Sequence, residues 1–217
     1  MKLKPQHLFA AAFAILLVFA LPAHAQLGLY GTVTLDQIAG LQTSPVRDTS
    51  VSYRNSVDPI GGTVGAYYDF RNAGPVRLGA DLRGVFAHDS RGAQQSSVGP
   101  GTRIDSGLLG IRASFHTPFA YLRPYVQASA GIGRSNYGIT SNNSVISTST
   151  IQQPGITLQT GFEYHVFAGV DLPILPLLDF RVVELGYGGL DPFGTYSHNY
   201  PLRSLSSGIV FHLPSLP

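Results

Sequence analysis

Side chains of one polarity recur at every second position in segment after segment of this chain, and that repeat limits the fold more than any other feature. An extended strand sends successive side chains to opposite faces, so alternation of this kind marks strands with one apolar and one polar face. Eight segments carry it. Leu27 to Leu35 sets Leu29, Val33 and Leu35 against Tyr30, Thr32 and Thr34. Thr63 to Phe70 sets Val64, Ala66, Tyr68 and Phe70 against Gly65, Tyr67 and Asp69. Arg77 to Ala87 opposes Leu78, Ala80, Leu82 and Phe86 to Gly79, Asp81 and Arg83, and Ile104 to His116 opposes Leu109, Ile111, Ala113 and Phe115 to Gly110, Arg112, Ser114 and His116.

The second half of the chain continues the rule. Phe119 to Arg134 places Leu122, Val126, Ala128, Ala130 and Ile132 opposite Tyr121, Arg123, Tyr125, Gln127 and Ser129. Pro124 falls on the apolar phase and predicts a local bulge, because proline cannot donate to a ladder. Ile156 to Asp171 opposes Phe162, Tyr164, Val166, Ala168 and Val170 to Gln159, Gly161, Glu163, His165 and Gly169. Leu178 to Leu190 opposes Val183, Leu185 and Tyr187 to Glu184, Gly186 and Gly188; Arg181 shares the apolar phase and is expected near an interface. The last segment puts Leu205, Ile209, Phe211 and Leu213 on one face and Ser206, Gly208 and His212 on the other.

The connections are sorted by parity. Long ones follow the odd segments, over about Asp36–Gly62, His88–Arg103, Ser135–Gly155 and Asp191–Arg203, and short ones follow the even segments, over Arg71–Val76, Thr117–Pro118 and Leu172–Leu177. Antiparallel strands joined this way gather every long loop at one end and every turn at the other. The expected fold is therefore all-β, an eight-stranded antiparallel up-and-down transmembrane β-barrel occupying residues 26–217.

The N-terminus agrees with export. Lys2 and Lys4 precede an apolar run from Leu8 to Leu21, and Ala23 and Ala25 suit a cleavage site before Gln26. The run is shorter than the roughly 20 residues a bilayer span needs, so residues 1–25 read as a cleaved signal peptide. Both lysines fall within it, which leaves 12 arginines against 12 carboxylates. A balanced chain has no basic excess for nucleic acid. Cysteine is absent, so packing and hydrogen bonds must hold the exported domain.

With the signal peptide, strand count, loop parity and the terminal Ser207-Gly208-Ile209-Val210-Phe211-His212-Leu213 in view, the chain resembles the small eight-stranded outer-membrane barrels of the OmpA-like transmembrane domain and OmpX-like group. The resemblance implies an outer-membrane location and a C-terminal assembly signal carried by Ser207, Gly208, Phe211 and Leu213. It also implies contact with outer-membrane lipid, recognition by the barrel-assembly machinery, and a monomer. No cofactor or metal is expected, because the histidines are scattered without ligand-like spacing.

The ionisable residues on the polar phase are Asp69, Asp81, Arg83, Arg112, Arg123, Glu163, His165 and Glu184. Facing lipid, each would cost a few kcal/mol near the midplane, so they are expected to form a lumenal charge network. Glu163 and Glu184, the only glutamates, are expected at comparable depth, each beside one of Arg83, Arg112 and Arg123. An eight-stranded lumen is just wide enough for side chains to fill. A structural or surface-interaction barrel is thus the leading reading. The alternatives are a lipid-modifying acyl hydrolase or transferase using His88-Asp89-Ser90, with Ser197-His198 weaker, and a small-solute pore. Tyr30, Tyr68, Phe70, Tyr121, Tyr187 and Phe211 are candidates for interfacial aromatic girdles.

Overall fold

A computed structural model describes residues 26–40, 56–90, 101–116, 121–136, 159–193 and 199–213. Every regular element among them is a strand: β1 (Gln26–Ala39), β2 (Ser56–Val57), β3 (Ile60–Ala73), β4 (Val76–Asp89), β5 (Thr102–Phe115), β6 (Arg123–Ser135), β7 (Gln159–Leu175), β8 (Leu178–Pro192) and β9 (Tyr200–Leu213). Sequential neighbours from β3 onward pair antiparallel, β1 pairs with β3, and β1 also pairs with β9 from Leu27↔Leu213 to Ile38↔Leu202. That last ladder closes the sheet. Eight strands form the ring, and β2 adds two residues beside the end of β1.

The sheet separates its side chains as the alternation predicts. Leu109 and Ile111 point outward and are 64% and 66% exposed, whereas Asp81, Glu184 and Arg181 point inward at 1%. A water-soluble protein does the reverse. The turns between β3 and β4 and between β7 and β8 are tight; Gly74, at φ +62°, takes the left-handed conformation that the first of them needs. The widest gaps between described strands follow β1, β4 and β6, at the other rim; the expected contrast fails at β5 and β8, whose gaps, residues 116–122 and 193–199, are equal in length.

Glycine permits the closing seam. A Cβ on Gly208 would stand 2.1 Å from the Gly31 carbonyl oxygen and 2.6 Å from Thr32 Cα. Both are backbone atoms of β1 that cannot move aside, so the terminal segment needs glycine there for a packing reason.

Several boundaries and irregularities differ from the sequence expectations. β1 runs four residues beyond Leu35, which brings Asp36 out of the expected first loop and into the barrel wall. β6 starts at Arg123 rather than Phe119, because Tyr121 and Leu122 belong to the preceding turn region. Pro124 does not bulge its strand: it pairs in register with Val170. The register shifts lie between Asp69 and Arg71, Val170 and Asp171, Pro173 and Leu175, and Arg181 and Glu184. The last has the largest consequence. A bulge adds a residue to one strand and re-aims the side chains beyond it, so Arg181 and Glu184 both point inward although three positions apart. Arg181 is therefore buried in the lumen and not at an interface.

Candidate functional site

The centre of the lumen holds six fully buried charges in one alternating chain. Asp81 Oδ1 lies 3.2 Å from Arg83 Nε, and Arg83 Nη1 lies 3.0 Å from Glu184 Oε1. Glu184 Oε2 lies 3.2 Å from Arg181 Nη1, whose Nε donates to Asp171 Oδ1 at 2.9 Å. Arg112 Nη2 donates to Asp171 Oδ2 at 2.8 Å. Three arginines thus face three carboxylates, and the chain is neutral. The charges come from β4, β5, β7 and β8, so the network ties together strands from both halves of the wall.

Neutral groups complete it. Gln127 accepts from Arg83 at 3.1 Å and donates to Asp81 at 2.6 Å, while the Tyr30 hydroxyl donates to Asp81 at 2.9 Å and the Tyr125 hydroxyl donates to Glu184. Aromatic faces cover the guanidinium groups. Arg83 Cζ is 3.8 Å from the Phe167 ring centroid, and Arg112 Cζ sits 3.8 Å from Tyr67 and 4.1 Å from Tyr125. Such stacking favours a cation where no water reaches it. Tyr30 is accordingly a lumenal residue and not part of a girdle. Of the other girdle candidates, Tyr121, Tyr187 and Phe211 are exposed and Tyr68 and Phe70 are half-buried on the outer phase.

Toward the turn end, Asp179 accepts from Arg123 Nη1 at 2.9 Å and lies 2.8 Å from His212 Nε2. At the rim itself, Arg77 Nη2 stands 3.1 Å from His116 Nε2. Partial burial, with the Arg77 and Arg123 charges nearby, holds the His116 imidazole below its ordinary value. A neutral ring can then accept that hydrogen bond. Asp69 is buried against Gly79, where a Cβ would stand 2.5 Å from its Oδ1.

Toward the loop end the lumen is different. Glu163 and Asp36 line one cavity with His165, Ser204 and the inner side of Arg83. Glu163 accepts from Ser106 through Oε2, and its Oε1 lies 3.1 Å from His165 Nε2. Above them Ile38, Val57, Ala87, Ile104, Leu190 and Leu202 pack into an apolar layer. Seven of the eight charged residues expected inside are buried, and Arg123 is half-buried at the turn end, but the pairing differs from expectation. Glu184 does meet Arg83; among the described residues, Glu163 has no arginine at ion-pair distance. Glu184 stands opposite Gly169, six positions along β7 from Glu163, or about 20 Å of strand, so the two glutamates do not share a depth. Arg112 and Arg123 are taken by Asp171 and Asp179.

Sequence reasoning missed Arg181, Asp171, Asp179 and Asp36. Asp171 shares the phase of Glu163 and His165 and was legible on that ground. Asp179 and Arg181 occupy one phase of β8 and Glu184 the other. Charges on both phases of one strand are themselves a bulge signal, since an unbroken membrane strand would turn one of the two sets toward lipid, where a charge is costly.

Within the described residues, the three members of the suspected catalytic triplet do not face one point. His88 is exposed on the outer face, and alternation turns the Asp89 side chain to the opposite side at the end of β4. Ser197-His198 and the signal-peptide segment lie outside the described residues. Among the described residues no group of His, Cys, Asp and Glu has metal-holding geometry.

The fold is the small eight-stranded β-barrel. No protein-family model matches the sequence, and no curated protein does. Solved structures do resemble it. Neisserial surface protein A is similar at TM-score 0.49 and 16% identity, over 86% of this chain and 97% of that one. The outer membrane protein AlkL is similar at TM-score 0.49 and 15% identity, over 89% and 93%. The N-terminal β-barrel domain of Pseudomonas aeruginosa OprF is similar at TM-score 0.41 and 18% identity, over 88% and 100%.

Proposed function

We propose that this chain is a non-enzymatic outer-membrane barrel whose plugged body anchors its long loops outside the cell. The observation that carries the reading is the alternating chain from Asp81 to Arg112, which crosses the lumen and fills its centre with paired side chains. The apolar outer face supports membrane insertion, because only a closed barrel or a helix satisfies its backbone in lipid. Ser207, Gly208, Phe211 and Leu213 serve as the assembly signal on the strand that completes the ring, with Ser207 and Phe211 turned outward. Residues 1–25 direct export and are removed. The protein works as a monomer, its ring being closed by its own first and last strands.

Folded protein in a planar bilayer is the direct test. The expected result is no steady conductance from the intact barrel; open-channel currents of a water-filled pore would overturn the plugged reading. Heat-modifiable migration on gels tests the barrel in the membrane fraction, and recovery from the periplasm without detergent would contradict it. Lipid A from cells with and without the protein should give identical mass spectra. A changed acyl pattern would instead support a lipid-modifying enzyme.

A further inference from the structure

Arg103 on β5 and Arg134 on β6 are exposed on the outer face of the wall, at its loop end. They belong to one patch. His88 faces Arg103 across the β4–β5 ladder, and Asp105 faces Arg134 across the β5–β6 ladder. Opposite and alternate positions on one face of a sheet lie about 5–7 Å apart, so the four side chains are neighbours. Next to the patch the outward positions turn apolar. Phe86 faces Asp105, while Ile132 and Leu109 follow toward the turn end, and all three are more than half exposed. The patch thus stands where the apolar belt ends, at the level of lipid headgroups.

The chain does not balance the charge of this patch. Arg103 Nε lies 2.7 Å from Asp105 Oδ2, whereas Arg134 has no hydrogen bond or ion pair among the described residues. Neither residues 90–104 nor residues 106–162 contain an Asp or Glu, so the connections that flank these strands in sequence supply no second carboxylate. Asp191, the next outward carboxylate among the described residues, stands two strands from Arg134, opposite Phe162 on β7. One carboxylate against two guanidinium groups leaves a positive charge for an anion from outside the chain. The wall below has room for an apolar tail. A Cβ on Gly107 would find nothing within 4 Å. Gly107 is flanked by Ile132 on β6 and by Gly84 on β4, where a Cβ would stand 3.3 Å from the Phe86 ring. A shallow groove therefore descends from the arginines between Phe86 and Ile132.

We propose that Arg103 and Arg134 bind a headgroup phosphate of an outer-leaflet lipid of the lipid A class, with one acyl chain lying over Gly107 between Phe86 and Ile132. The inference rests on the reading of the chain as an outer-membrane barrel with its loops outside. A guanidinium offers its donors in a planar fork that matches phosphate oxygens. The Arg134 fork is uncommitted among the described residues, and Asp105 holds Arg103 through Nε, which leaves the terminal nitrogens for the lipid. The two ends of the outer face differ in this respect. Toward the turn end, Arg71, set outward opposite Leu78 by the bulge in β3, is the one outward charge among the described strands. A paired cationic site is thus present in one leaflet and not in the other.

Native mass spectrometry of the detergent-folded chain in a neutral alkyl maltoside, with diphosphoryl lipid A added, tests the site. The wild type should retain lipid A, and the same lipid stripped of its phosphates should bind about tenfold more weakly or worse, a comparison that needs no variant. Arg103→Gln combined with Arg134→Gln should lose about tenfold or more, whereas Arg71→Gln should bind like the wild type. Heat-modifiable migration on gels checks that each protein is folded. Equal binding of the two lipids, or of the wild type and the double variant, would overturn the proposal. So would an equal loss in Arg71→Gln, which would mean general attraction by charge. Inorganic phosphate that binds as tightly as lipid A would also overturn it, in favour of a free-anion site. A heat-modifiable wild type that retains no lipid A refutes the lipid site and leaves the barrel reading standing; a chain that never becomes heat-modifiable in detergent sinks both.

Discussion

The middle and the loop end of this lumen are both buried, polar and charged, yet they meet the cost of burial by different means. In the middle, arginine and carboxylate alternate from Asp81 to Arg112, and each guanidinium also lies over an aromatic ring. At the loop end, Glu163 has a hydroxyl and an imidazole, and Asp36 has an orphaned oxygen. Fixed cations neutralise the first region at any pH a cell encounters. In the second, among the described residues, no arginine stands at ion-pair distance from Glu163. The kind of partner, rather than depth of burial, separates a braced centre from a chamber held by a hydroxyl and an imidazole.

The sharpest way to break the contrast is Arg181→Met. It removes the cation shared by Asp171 and Glu184, and leaving buried charge uncompensated typically costs about 3–5 kcal/mol. Urea midpoints in detergent should show the loss across a wide pH range. A variant as stable as the wild type would mean the central chain is dispensable.

Gly133→Ala should come next. Its new Cβ meets the Glu163 carboxylate, and overpacking of this kind costs about 1–3 kcal/mol. Combining it with Glu163→Ala should recover much of that loss, since the clash is with that side chain. Additive effects in the double-mutant cycle would place the strain elsewhere.

Glu163→Gln by itself should cost only about 1 kcal/mol, the scale of one hydrogen bond, because Glu163 contacts Ser106 and His165 and no buried arginine loses its partner. A loss as large as that of Arg181→Met would erase the distinction between the two regions. Smallest of all, Arg103→Ala should change stability by about 0.2–1 kcal/mol. Its 2.7 Å contact with Asp105 lies on the outer rim, where its side chain is 58% exposed and water screens the pair.

Much of the architecture was legible in the chain. A side-chain period of two is a local property of extended backbone, and loop parity follows from antiparallel order, so neither needs a distant contact to be read. The inward placement of Asp69, Asp81, Arg83, Arg112, Glu163, His165 and Glu184 followed from the same rule, because one face of each strand must be apolar. Gly208 was visible as part of the terminal segment.

Pairing could not be read this way. Which carboxylate meets which arginine depends on register and on strand tilt, and these are properties of ladders between segments. A single extra residue in β8, between Arg181 and Glu184, inverted the phase and brought an unassigned arginine to the centre. Asp36 looked like loop because Gln37 breaks the apolar phase of Val33 and Leu35; the ladder to β9, still in register at Ile38↔Leu202, holds it in the wall. Local alternation determined which face a residue takes, since that is set by its own backbone. Only closure of the sheet decided its depth and its partner, since those are set by other strands, as where Arg83 meets Glu184 101 positions away.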